Sequence, residues 1–335
     1  MRWSLFCRVV DNFGDAGFCL RLARELRARG ESVELFIDDP RPLAWMQPGD
    51  LRILPWPGED EEPALGEVVI EAFGCELPPG VQIACARQAP LWINLEYLSA
   101  EGYVERCHGL PSPVMSGPAR GCVKRFFYPG FSAATGGLLR EAGLEAAWKA
   151  HSSAAWWREM GLPPLPGERQ VSLFAYPHAP IPALLAALAD APTRLLVSPG
   201  LVLPAAPPNV RVCALPWLSQ SAFDRLLWSC DLNLVRGEDS FVRAQWAGKP
   251  FLWHIYPQHD RAHLAKLDAF LALQGTSPAA WHAWNNPVTT DLQLASFFEP
   301  ATRAKALAWR ERLLSGPELV NTLLTWAAKQ GGPTS

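Results

Sequence analysis

The chain has 335 residues, 49% of them hydrophobic and 19% charged, a composition that excludes a disordered chain and fits about two folded domains. Lys and Arg number 30 against 33 Asp and Glu, and the resulting net charge of −3 argues against a dedicated nucleic-acid binder. No apolar run approaches the roughly 18 residues of a spanning helix. The opening MRWSLFCRVVDNF has Arg8 and Asp11 within its apolar stretch and no small-residue cleavage site, so neither membrane insertion nor a signal peptide is expected. The 8 cysteines include no C-x-x-C pair, which speaks against a zinc ribbon or a thioredoxin site. Several lie in apolar runs, where a free thiol packs as a small core residue, and a cytoplasmic protein is the expectation. The 15 tryptophans suit large cores or stacking on flat ligands.

In chain order, residues 3–10 read as a buried strand, followed by the loop DNFGDAG at 11–17. Apolar residues Cys19, Leu22, Ala23 and Leu26 then recur at helical spacing up to Gly30, which stands where a helix C-cap belongs. Residues 33–37 form the next strand, so the unit is strand, loop, helix, strand, and a parallel sheet follows. The acidic run GEDEE is a solvated loop, and short strands are expected at 67–71, 81–85 and 91–98. The Gly-, Pro- and aromatic-rich stretch 117–137 reads as a long loop.

GLPPLPGE at 161–168 has linker composition, and a second alternation starts beyond it. Strands are expected at 171–176, 193–200, 210–216, 231–236 and 250–255, and helices at 182–191, 221–230 and 241–248. The remainder reads as helical at 261–273 and 291–330. This divides the chain into domains 1–160 and 161–315, with 316–335 a C-terminal helix and tail that has packing against the first domain as one option.

Four constellations carry chemistry. DNFGDAG lies at the carboxyl end of the first strand and opens a helix, where open α/β sheets bind ligands. Its Asp11 and Asp15 suit a functional pair, or Asp15 caps the helix while Asp11 ends the strand. Neither G-x-G-x-x-G nor a P-loop is present, which disfavours a nicotinamide-dependent oxidoreductase. The second, RGEDSFVRAQWAGKPFLWHIYPQ, ends a strand at Arg236 and is expected to place Ser240 at a helix N-cap. A helix start beside a cation suits a diphosphate, and a plain capped helix remains the alternative. The third is the set His254, His259 and His263, in which HDRAH matches the H-E-x-x-H metal motif imperfectly and surface histidines are the simpler reading. The fourth is Tyr176 at a strand end, a ring able to stack on a base or a packing residue.

Taken together, DNFGDAG, WINLEYLSAEGYVERCHGLPSP, FFYPGF, LFAYPH and RGEDSFVRAQWAGKPFLWHIYPQ make the chain resemble the EarP family of bacterial protein-arginine rhamnosyltransferases, in order and over nearly its whole length. The resemblance implies an α/β GT-B glycosyltransferase fold, two Rossmann-like domains facing across a cleft. It implies inverting transfer of L-rhamnose from dTDP-β-L-rhamnose to an arginine of elongation factor P, in support of polyproline translation. The N-terminal domain would meet the protein acceptor and the C-terminal domain the donor nucleotide. Carried over, Asp11 and Asp15 are the acceptor-side acids with Asp15 the general base, and Glu238 is a third functional acid. Tyr176, Gln220, Arg236, Asp239 and Ser240 are donor contacts, Phe13 and Gly14 line the donor sugar, and Tyr256 and Gln258 are further candidates. No cofactor and no metal is expected, since the chain contains no Asp-x-Asp triplet. A GT-B transferase with a small-molecule or lipid-linked acceptor, and a non-catalytic binding module, are the competing readings.

Overall fold

A computed structural model describes residues 1–330 apart from Asn12, Pro48 and His259. The chain forms two compact units, residues 1–142 with 315–335, and residues 143–314.

The first unit is built on strands β1 (Arg2–Cys7), β2 (Ser32–Ile37), β3 (Arg52–Pro55), β4 (Val68–Ala72), β5 (Leu91–Leu95), β6 (Pro111–Pro113) and β7 (Val123–Phe127). They form one sheet in the order β3-β2-β1-β4-β5-β7-β6, with β6 antiparallel to β7 and the other pairs parallel. Helices α1 (Gly14–Ala28), α2 (Leu43–Met46), α3 (Pro79–Gln88) and α4 (Tyr103–Cys107) connect them. Trp3, Leu5 and Cys7 of β1 alternate with Ser4 and Phe6, so the first set faces the core beneath α1 and Phe6 faces the other. The register places Phe6 beside Phe36, and the two rings stack at 4.5 Å.

Residues 81–85, expected as a strand, lie inside α3. The run is too short for periodicity to separate strand from buried helix, and Pro79 at the first turn suits a helix start. Parallel pairing of β4 with β5 also demands a crossover, which α3 supplies. The stretch expected as one long loop at 117–137 contains β7, paired to β5 and β6.

The second unit opens with α5 (Leu144–Ala150) and α6 (Ser153–Glu159), so the expected boundary at 160 moves to 142. The reason is packing: Trp156 and Trp157 of α6 are buried with Leu196, Leu215, Leu226 and Cys230. Strands β8 (Arg169–Leu173), β9 (Thr193–Val197), β10 (Val210–Ala214), β11 (Leu232–Arg236) and β12 (Phe251–His254) form an all-parallel sheet in the order β10-β9-β8-β11-β12. Its helices are α7 (Ile181–Leu188), α8 (Gln220–Ser229), α9 (Glu238–Ala247), α10 (Ala262–Gln274), α11 (Ala279–Trp284) and α12 (Pro300–Leu314). The expected helix 291–330 is thus interrupted, by a 3-10 turn at Ala295–Phe298 and by a break after Leu314. Arg243 of α9 and Asp224 of α8 form a buried bidentate pair at 2.8 and 2.7 Å.

The last helix, α13 (Leu319–Gln330), belongs to the first unit. Leu319, Val320, Leu323 and Ala327 enter the same core as α1 and β1. The Glu318 carboxylate accepts from the N–H groups of Val320 and Asn321 at 2.8 and 2.9 Å and so caps the helix, and it also pairs with Arg29 at 3.2 Å.

Candidate functional site

Among the parallel strands of each sheet the order reverses at one point, between β1 and β4 in the first unit and between β8 and β11 in the second. Connections leave such neighbours in opposite directions, which opens a crevice at their carboxyl ends where ligands bind. DNFGDAG follows β1, LFAYPH follows β8, and RGEDS follows β11. Asp11, Phe13, Gly14, Asp15, Tyr176, Arg236, Glu238, Asp239 and Ser240 therefore fall on the two switch points, whereas Gln220 follows β10 and Tyr256 and Gln258 follow β12.

In the first unit, the Gly14 N–H donates to the Asp11 carbonyl at 2.7 Å and the chain turns directly into α1. Asp15 sits in the first turn of α1 and is 2% exposed. Its Oδ2 accepts from the backbone N–H groups of Val10 and Asp11, both at 2.9 Å, and its Oδ1 accepts from the Tyr97 hydroxyl at 3.2 Å. The carboxylate therefore ties the loop to the helix rather than capping it, which corrects the capping alternative. Burial pushes the Asp15 carboxyl above its ordinary range; the Asp11 and Val10 N–H groups and the Tyr97 hydroxyl pull it down, and the Asp38 charge adds to the rise. Asp11 is also buried, and Phe13 packs edge-on against Trp45 at 5.4 Å. A pocket of about 160 Å³ at this end of the sheet is lined by Arg8, Val10, Phe73, Gly74, Glu76 and Tyr97. Tyr97 stands in the string WINLEYL, where nothing local marks it for the site, because its partner is 82 positions away.

In the second unit, Gly237 at φ 64° and ψ −172° is the N-cap of α9, whose first residues are Glu238, Asp239 and Ser240. The helix thus starts earlier than expected and Ser240 is its third residue, not its cap. Only glycine readily adopts the Gly237 conformation, and that lets β11 turn into α9 without a spacer. Arg236, Glu238, Asp239 and Ser240 are all buried. The Arg236 guanidinium lies over the rings of Phe174 and Tyr176, each at 4.6 Å. Lys266 approaches the Glu238 carboxylate at 3.5 Å, so that acid is matched by a cation at the helix mouth. Gln220 is buried as the first residue of α8.

Tyr176 is a buried ring near-parallel to His178 at 5.7 Å and edge-on to Tyr256 at 5.6 Å. Its backbone N–H donates to Nδ1 of His254 at 3.2 Å. Burial, with the nearby His178 and Arg236, holds His254 neutral by lowering its pKa to about 3. Tyr256 is 44% exposed. The Gln258 N–H donates to Nδ1 of His263 at 3.0 Å. His259 lies outside the described residues, so the structure does not address its part in the histidine set. Among the described residues no group of three or more His, Cys, Asp and Glu is arranged to hold a metal ion. All 8 cysteines are free thiols, and burial raises that of Cys85 to about 12, as suits packing residues. A larger cavity of about 730 Å³ lies at the amino end of β12, by Phe251, Trp281 and Trp309, and includes none of the sequence-selected residues. None of the described helices is long and apolar enough to cross a membrane.

Residues 3–328 match the family described as Elongation-Factor P (EF-P) rhamnosyltransferase EarP. A protein-arginine rhamnosyltransferase of Pseudomonas putida is 43% identical, across 98% of this chain and 94% of that protein. One from Pseudomonas aeruginosa is 41% identical, across 97% and 98%. Among solved structures, one of EarP-mediated arginine glycosylation of translation elongation factor EF-P is 32% identical with a TM-score of 0.65, covering 98% of this chain and 99% of that one. The spinosyn forosaminyltransferase SpnP shares the fold at 15% identity and a TM-score of 0.60, covering 98% and 99%. The architecture is that of GT-B glycosyltransferases.

Proposed function

The chain belongs to the EarP family of EF-P rhamnosyltransferases, and on that premise we propose that it transfers L-rhamnose from dTDP-β-L-rhamnose to one arginine of elongation factor P, with inversion. It is an enzyme, a protein-arginine rhamnosyltransferase. The observation that carries the finer reading is a different constellation at the switch point of each unit: buried acids after β1 in the first, and a cation with a helix start after β11 in the second.

The acids suit a cationic acceptor. A guanidinium has a pKa of about 12.5 or higher, so a carboxylate near 4 faces a gap of roughly eight units, or ~11 kcal/mol, and cannot deprotonate it outright. Asp11 and Asp15 instead grip and orient it through charge-assisted hydrogen bonds. The terminal nitrogen attacks the anomeric carbon as the bond to the diphosphate oxygen breaks. The new N–C bond makes the attacking nitrogen far more acidic, and Asp15 takes its proton during or after attack. Burial favours this role, since it raises the proton affinity of Asp15.

The departing diphosphate needs positive potential. Arg236 and the first-turn N–H groups of α9, with Ser240 at its third position, supply it without a metal ion. Tyr176, Gln220 and Asp239 contact the donor nucleotide and its sugar, with Tyr256 and Gln258 at its edge. Phe13 and Gly14 face the rhamnose, and Glu238 orients a sugar hydroxyl or the Lys266 cation. Modification of a translation factor places the reaction in the cytoplasm, where it supports synthesis through polyproline stretches.

Intact-mass analysis of elongation factor P incubated with this protein and dTDP-β-L-rhamnose should show the gain of one deoxyhexose, undiminished by EDTA. No mass gain would turn the reading toward another acceptor. A loss in EDTA restored by added metal would overturn the metal-free route.

A further inference from the structure

We propose that Tyr97 is a positioning residue for the Asp15 carboxylate, and that the turn at Phe73 holds it there. The proposal rests on the reading of Asp15 as the base.

The two oxygens of Asp15 are held differently. Oδ2 is committed to the backbone N–H groups of Val10 and Asp11. Oδ1 accepts from Tyr97, a hydroxyl delivered from beyond β5, and retains a second lone-pair direction for a substrate proton. A single hydrogen bond to this oxygen fixes the plane of the carboxylate and thereby the direction of that remaining lone pair.

The ring of Tyr97 is fixed in turn. It stacks on Phe73 with centroids 4.2 Å apart and planes 9° from parallel. Phe73 then meets Phe18 at 5.4 Å, and Phe18 lies three residues after Asp15 on the same face of α1. Helix, turn and tyrosine close a ring of contacts around the carboxylate. The turn itself is strained: Phe73 has φ 58° and Glu76 φ 47°, on either side of Gly74 at 63°. Bulky residues adopt such angles only where the surroundings over-determine them, and such strain gathers at functional sites. The Phe73 N–H donates to the Leu95 carbonyl at 2.6 Å, which anchors the turn two residues before Tyr97.

Packing alone would be served by phenylalanine at 97. The hydroxyl adds one property, stabilisation of the charged carboxylate against burial. Among the described residues, Asp38 beyond β2, with Arg8 at 3.9 Å, acts on Asp15 by its charge, Cys19 on α1 is a buried thiol that stays protonated, and Asp11 contributes its backbone N–H.

The test is the pH profile of rhamnosyl transfer for wild type, Tyr97→Phe and Asp15→Asn. Without the hydroxyl, Asp15 keeps its proton to higher pH. The acid limb of kcat for Tyr97→Phe should therefore move up by about one unit, with kcat below wild type and donor KM unchanged. A carbon-13 NMR titration of the Asp15 carboxyl should show the same displacement independently of turnover. If Asp15→Asn is inactive while Tyr97→Phe keeps both the wild-type limb and the wild-type titration, the positioning role is refuted and the base assignment stands. If Asp15→Asn turns over like wild type, the base assignment falls and this proposal falls with it.

Discussion

His254 shows how much a single side chain is decided by its neighbours. In the sequence it is one member of a histidine set that matches a metal motif imperfectly. In the fold it is 2% exposed at the end of β12, with Nδ1 accepting the Tyr176 N–H. Its pKa is lowered to about 3 by burial first and then by His178 and Arg236, against an ordinary value near 6.5. A base whose folded pKa is depressed takes up its proton more readily when unfolded. Its contribution to stability is complete above about pH 6.5 and is lost as the pH falls toward 3. The thermal stability of wild type should accordingly fall between pH 6.5 and 4, and His254→Gln should flatten that dependence. Equal slopes for both proteins would show that the ring titrates alike in the folded and unfolded states. Asp15 illustrates the same point: its place in a loop-to-helix motif was legible, but its partner Tyr97 was not.

At the scale of elements, Gly237 decides where a helix begins. Periodicity marked the apolar face from Phe241, and Ser240 fits the N-cap preference, so the start was expected three residues late. The φ of 64° with ψ of −172° at Gly237 moves the cap upstream and brings Glu238, Asp239 and Ser240 into the first turn. That conformation is reserved for glycine, and the Gly237 carbonyl also accepts from the Trp253 indole at 2.8 Å. Gly237→Ala should cost about 1–3 kcal/mol in denaturant unfolding and should weaken dTDP binding in calorimetry. Unchanged values in both would mean that the turn relaxes without consequence. The misread segment 81–85 teaches a related lesson, since VQIAC is short enough to serve either structure. Pairing of β4 with β5 made it a helix.

For the whole molecule, the chain leaves its first unit at residue 142 and returns to it at 315. The return completes a core rather than adding a tail. Leu323 is fully buried, in the same cluster as Leu22 and Leu26 of α1. Leu323→Ala should lower the unfolding free energy by about 2–5 kcal/mol, the usual range for a buried leucine that leaves a cavity. A loss below about 0.5 kcal/mol, as at surface positions, would show that α13 is dispensable to that core.

Fold class, the α/β alternation and the acids and cation at strand ends were determined by the sequence itself, because periodicity and strand-end chemistry are local. The family strings were likewise readable, since they depend on order along the chain. The tertiary structure alone decided the switch points, the early start of α9, the boundary near 142 and the contact of Tyr97 with Asp15. Each of these joins groups distant in sequence or depends on a backbone angle that packing selects. Burial works the same way: a carboxylate's proton affinity depends on what surrounds it, and Asp15 acquires its raised value only once the fold has buried it, with the Tyr97 hydroxyl pulling it partly back.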